Sequence, residues 1–142
     1  MIVGETVRGP ADLVARLDTV GEVVGRVPGV LFAYLFGSAA LEQMRPSSDV
    51  DLAVYLDPST DALEARLAVA AVASKHLGMD QVDVVVLNAA PLALAGRVLA
   101  TRRVIVDGNP FARQRYESVI IRAFADFRLV ERRHFDRRHH RG

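Results

Sequence analysis

Three aspartates stand where packing alone would not place them. Asp49 and Asp51 are two residues apart in Asp49-Val50-Asp51-Leu52-Ala53-Val54. On a strand that spacing sends both side chains to one face, roughly 6–7 Å apart along the backbone. Two like charges so close repel, so the face must be open to water or hold something positive. Asp83 interrupts Val82-Asp83-Val84-Val85-Val86, a β-branched run otherwise suited to burial. If the two strands are neighbours, three carboxylates converge. Hard oxygen donors of this kind suit Mg²⁺ or Mn²⁺, ions that retain waters and also bind phosphate oxygens. Upstream, Gly37-Ser38 closes an apolar strand. A glycine lets a phosphate approach the backbone, and a serine hydroxyl beside a helix start can hold its oxygens. Each part also has an ordinary explanation, since Asp-x-Asp pairs often simply face water. The ordered set reads as a site for a nucleoside triphosphate.

Other reactive side chains have simpler roles. His76 lies near a helix end, and His134, His139 and His140 lack a regular ligand spacing. Asp57, Asp61 and Asp107 fit turns and caps, and Ser48 fits a loop. Tyr116 belongs to an apolar stripe. Arg97, Arg102 and Arg103 could reach phosphate or partner or stay solvated, with nothing to single one out. Lys75 is the only lysine.

The elements that must position these residues follow from periodicity. Leu13, Leu17, Val20, Val24 and Val27 recur at helical spacing after Pro10, and Pro28-Gly29 stops the helix. Val30 to Phe36 and Asp49 to Leu56 read as strands, joined through the polar loop Arg45-Pro46-Ser47-Ser48. Asp61 with Glu64 three residues on starts a helix that runs to Leu77 and ends at Gly78. A strand from Val82, a short helix from Pro91 to Leu99 and a strand from Arg103 to Val106 follow. Asn109-Pro110 opens a last helix whose buried stripe is Tyr116, Val119, Ile120, Ala123, Phe124, Phe127 and Val130. The pattern predicts an α/β (α+β) domain, with a small mixed β-sheet and helices packed mainly on one face. One domain spans residues 1–142, with a core of about 10–134 and a flexible tail over 135–142.

Composition narrows the possibilities. The 142 residues contain no cysteine, which excludes disulfide frameworks, thiolate metal sites and cysteine nucleophiles. Eighteen basic side chains against seventeen acidic ones offer no general attraction to a polyanion. The stretch from Pro110 to Gly142 has nine arginines against four acids, but its apolar stripe favours a docked amphipathic helix over a nucleic-acid arm. No apolar run is long enough for a membrane span, and the N-terminus does not read as a signal peptide. The expected location is the cytoplasm.

Gly37-Ser38, ten residues, then Asp49-Val50-Asp51, with Asp83 one helix later, resembles the active-site pattern of the polymerase-β-type nucleotidyltransferase superfamily. Leu35-Phe36-Gly37-Ser38, Ser48-Asp49-Val50-Asp51-Leu52-Ala53-Val54 and the stretch from Asp83 to Leu92 are similar to the MNT-domain minimal nucleotidyltransferases, over about Val30 to Arg133. Many relatives have a glycine soon after Gly-Ser, where this chain has Ala39-Ala40-Leu41-Glu42. The resemblance implies a nucleotidyltransferase fold and an ATP-dependent transferase. It further implies an antitoxin that moves AMP onto a tyrosine of a cognate HEPN-domain ribonuclease toxin and so neutralises it. By the same resemblance Asp49, Asp51 and Asp83 are catalytic residues that bind Mg²⁺ or Mn²⁺, and Gly37 and Ser38 hold the phosphates of ATP. The alternatives are a nucleotidyltransferase acting on a small molecule such as an antibiotic, and an antitoxin that works by contact alone. A homodimer or a hetero-oligomer with the toxin fits the apolar surface of the last helix, and direct nucleic-acid binding ranks last.

Overall fold

A computed structural model describes the backbone of residues 10–41 and 49–140, and the side chains of residues 12–41 and 49–133. Residues 42–48, on which the expected loop Arg45-Pro46-Ser47-Ser48 falls, lie outside the described residues. The elements run α1 (Pro10–Val24), β1 (Val30–Phe36), β2 (Val50–Leu56), α2 (Ala62–Leu77), β3 (Val82–Val86), a 3₁₀ turn (Leu87–Ala89), α3 (Leu92–Thr101), β4 (Arg103–Asp107) and α4 (Pro110–His140).

Local chemistry sets the helix ends. Asp61 Oδ1 accepts from the Glu64 N–H at 3.0 Å, relieving one of the unpaired donors of the first turn of α2. At the other end Gly78 takes the left-handed conformation and donates its N–H to the Ser74 carbonyl at 2.8 Å. Asn109 Oδ1 caps α4 through the Ala112 N–H at 3.1 Å, with Pro110 at the first helical position.

The sheet order is β3-β2-β1-β4. β1 runs antiparallel to β2 and β4, while β2 and β3 are parallel, as α2 between them requires. Side chains alternate across the sheet. Val50, Leu52 and Val54 of β2 enter a core with Leu35, Val20 and Val24 of α1, and Val69 and Leu77 of α2. Ala53 faces the other way, into a cluster of Phe32, Tyr34, Val98 and Leu99, against which Tyr55, Tyr116 and Ile120 pack. The small mixed sheet is therefore as expected. One-sided helix packing describes α1 and α2, whereas α3 and the first half of α4 add a partial layer on the opposite face. Asp51 shares that second face with Ala53, so it lies on the side where helical cover is incomplete.

The last helix departs from its expected burial. Tyr116, Ile120, Ala123 and Phe124 are partly buried, but Val119, Phe127 and Val130 are 58%, 45% and 64% exposed. A 31-residue helix is about 46 Å long, far longer than a four-stranded sheet is wide. Contact is closest where α3 crosses: a Cβ on Gly96 would stand 2.4 Å from the Phe124 ring. Among the described residues no helix is long and apolar enough to cross a membrane.

Candidate active site

The parallel register of β2 and β3 places Asp51 opposite Asp83. Residues directly paired across neighbouring strands project to the same face, so these two acids share it. Asp49 immediately precedes β2, two residues from Asp51. Asp49 and Asp83 are exposed, while Asp51 is half-buried. Burial raises the Asp51 carboxyl above its ordinary range, and the charges of Asp83 and Asp49 raise it further; Arg97 opposes them. Burial and like charge thus both disfavour the ionised form of this carboxyl. Asp51 thus lies within the fields of both Asp49 and Asp83.

The Gly37 turn closes the other side. Phe36, the last residue of β1, pairs with Asp51 across the antiparallel register. The chain then turns at Gly37, whose φ is +69°, a conformation costly for a residue with a Cβ. A Cβ there would also stand 2.9 Å from Asp51 Oδ2. The absent side chain is what lets the carboxylate lie over the turn. The Leu41 N–H closes one helical turn onto the Gly37 carbonyl at 3.3 Å, with half-buried Ser38 inside it. Ala39 is only 1% exposed and belongs to the core. One expectation needs revision. The Gly37 N–H already donates to Thr101 Oγ1 at 2.8 Å, so a phosphate oxygen could take that donor only by displacing the threonine.

Among the described residues no three acidic or histidine side chains are gathered tightly enough to form a metal cage. The donor set still fits a divalent cation. Mg²⁺ is commonly held by one or two carboxylates, with waters and phosphate oxygens completing its octahedron. Asp51 and Asp83, with Asp49 alongside, supply such carboxylates on an open face.

Comparison with known proteins agrees with this geometry. The family profile described as "Polymerase beta, Nucleotidyltransferase" matches residues 19–111. The chain belongs to the polymerase β nucleotidyltransferase family. No curated protein matches it. Among solved structures, a chain of a toxin–antitoxin with AMP-PNP superposes with a TM-score of 0.65 at 21% identity, over 87% of this chain and 95% of that one. A chain from the Shewanella oneidensis complex of tri-AMPylated HEPN toxin with MNT antitoxin gives 0.60 at 20%, over 90% and 97%. At these identities the likeness establishes the fold.

In this nucleotidyltransferase several polar residues serve the scaffold. His76 Nε2 and Thr19 Oγ1 lie 2.8 Å apart, joining α2 to α1. Asp57 accepts from the Ser59 N–H and hydroxyl in a turn. Asp107, expected as a turn residue, is forked by Arg113. Tyr116 packs in an aromatic cluster with Phe32 and Tyr55, and burial pushes its hydroxyl up to about 12. A groove of about 490 Å³ along the outer edge of β3 is lined by Leu63, Arg66, Val85 and Leu94, and by none of the three acids.

Sequence reasoning missed two supporting features. Thr101 gives no signal before folding, being the polar end of an apolar helix. Glu117 is 8% exposed and accepts from Tyr34 Oη at 2.7 Å, Arg102 Nε at 3.0 Å and Arg113 Nη1 at 3.0 Å. Its spacing four residues after Arg113 on one helix was the available clue. Burial, then the hydrogen bond to Glu117, drives the Tyr34 phenol well above its usual range, so it remains a donor. Arg102 also donates to the Leu99 carbonyl at 2.7 Å. The network ties the end of α3 to β1 and α4, and thereby holds Thr101 against Gly37.

Proposed function

We propose that this chain is the antitoxin of a toxin–antitoxin pair, transferring AMP from ATP to a tyrosine of a HEPN-domain ribonuclease toxin. The reading is carried by the pairing of Asp51 with Asp83 on adjacent strands above the Gly37 turn. The structural likeness to chains from toxin–antitoxin complexes, one with an AMPylated toxin, supports the partner class. In this mechanism Asp49, Asp51 and Asp83 are the residues that would hold Mg²⁺ or Mn²⁺. When bound, the metal neutralises charge at the triphosphate and orients the leaving group. Gly37 admits the phosphates to the backbone, and the Ser38 hydroxyl donates to a β- or γ-phosphate oxygen. The tyrosine oxygen attacks the α-phosphorus; that O–P bond forms as the bond to pyrophosphate breaks, and Asp83 helps take up the phenolic proton.

Inhibition by contact alone is the second reading, favoured by one observation: the apolar side chains of Val119, Phe127 and Val130 on α4 stand exposed. Co-expression with the protein encoded next to this chain, followed by intact-mass analysis, separates the two. AMP on a partner tyrosine, lost in Asp49→Asn, Asp51→Asn and Asp83→Asn, is the expected result. An unmodified yet inhibited partner would support contact alone. Undiminished AMP transfer in all three variants would end the assignment of the acids.

A further inference from the structure

A triphosphate seated beside Asp51 and Asp83 needs positive charge on its phosphate side as well as at the acids. Lys75, the only lysine, is on α2, across the sheet from Asp51, which leaves the arginines near α3 as the cations to weigh. Arg97, Arg102 and Arg103 are equivalent in sequence, but the structure separates them. Arg102 is bound to Glu117 and to the Leu99 carbonyl. Arg103 is paired with Asp18 of α1. Arg97 is exposed on α3, and among the described residues no carboxylate lies within ion-pair distance of it.

Its position on α3 is fixed from both sides. Thr101, four residues on and therefore on the same side of the helix, touches the Gly37 N–H at 2.8 Å. Leu94, three residues back on that side, packs into the sheet cluster that contains Ala53 and Val85. The side of α3 running 94–97–101 therefore faces the strand ends that carry Asp51 and Asp83.

We propose that Arg97 is the triphosphate-binding arginine of this site: its guanidinium grips β- and γ-phosphate oxygens of the nucleotide seated over Gly37. Two parallel N–H donors match a phosphate better than an ammonium does. As the α-phosphorus–oxygen bond breaks, the electron pair passes to pyrophosphate, where Arg97 stabilises the growing charge. The proposal rests on the nucleotidyltransferase reading and names a further catalytic residue within it.

Equilibrium binding to the full chain in Mg²⁺, with a fluorescent non-hydrolysable ATP analogue and separately with AMP, tests it. A charge-assisted hydrogen-bonded pair predicts roughly 10- to 100-fold weaker ATP-analogue binding for Arg97→Ala, AMP binding changed by less than about 3-fold, and Arg97→Lys in between. Arg103→Ala should match wild type. If wild type binds the analogue and Arg97→Ala binds it equally well, Arg97 has no such role. Equal losses for the analogue and AMP would likewise refute it, since the contact would then not be at the β- and γ-phosphates. If wild type binds no nucleotide, the nucleotidyltransferase reading fails, and this proposal with it.

Discussion

Gly37→Ala adds one methyl group at the point where the turn meets Asp51. Two costs follow. At φ +69° an L-residue with a Cβ loses about 1–2 kcal/mol. The new Cβ would also stand 2.9 Å from Asp51 Oδ2, closer than atoms tolerate. The obstacle is the free end of a short side chain, so Asp51 would rotate away rather than the backbone shift, at about 0.5–1.5 kcal/mol for an off-rotamer position. The sum, about 2 kcal/mol, lowers Tm by about 4–8 °C for a domain of this size. That is tolerable for folding, yet it moves the carboxylate that the site depends on. Thermal unfolding and Mg²⁺-dependent nucleotide binding, measured on the same samples, check both halves. The affinity should fall by a larger factor than the loss of stability explains. Removing the obstacle isolates the second cost: in an Asp51→Ala background, Gly37→Ala should lose only the backbone part. An alanine variant that melts with wild type and binds nucleotide normally would refute the packing of Asp51 over the turn. Equal costs in both backgrounds would refute the contact alone.

Other variants probe the acids and their support. Because Asp51's folded-state pKa is raised, the native state retains a proton that the unfolded chain has already lost, and stability falls as pH rises through that window. Asp51→Asn should therefore melt above wild type at neutral pH while losing nucleotide transfer, and the gap should close below the ordinary aspartate range; titration with Mg²⁺ should raise the wild-type Tm more than the variant's. A variant no more stable than wild type at pH 7 would contradict the crowding. Tyr34→Phe removes one of three donors to buried Glu117 and should cost about 1–3 kcal/mol, read by urea denaturation; an unchanged midpoint would show the network to be slack.

The chain's local chemistry already contained half of the site. The two-residue spacing of Asp49 and Asp51 at the start of β2 follows from the sequence alone, and Gly37 follows β1 because the apolar run ends at Phe36. The caps at Asp61, Gly78 and Asn109 were legible for the same reason: each satisfies backbone groups a few residues away. Only the tertiary structure could pair Asp51 with Asp83, since that register depends on how α2 returns the chain beside β2. It alone decided that Thr101 occupies the Gly37 N–H, that Arg102 and Arg103 are taken by Glu117 and Asp18 while Arg97 stays exposed on α3, and that α4 outruns its cover beyond Phe124. Backbone geometry sets spacing over a few residues, whereas these outcomes depend on which distant surfaces meet when the two cores close.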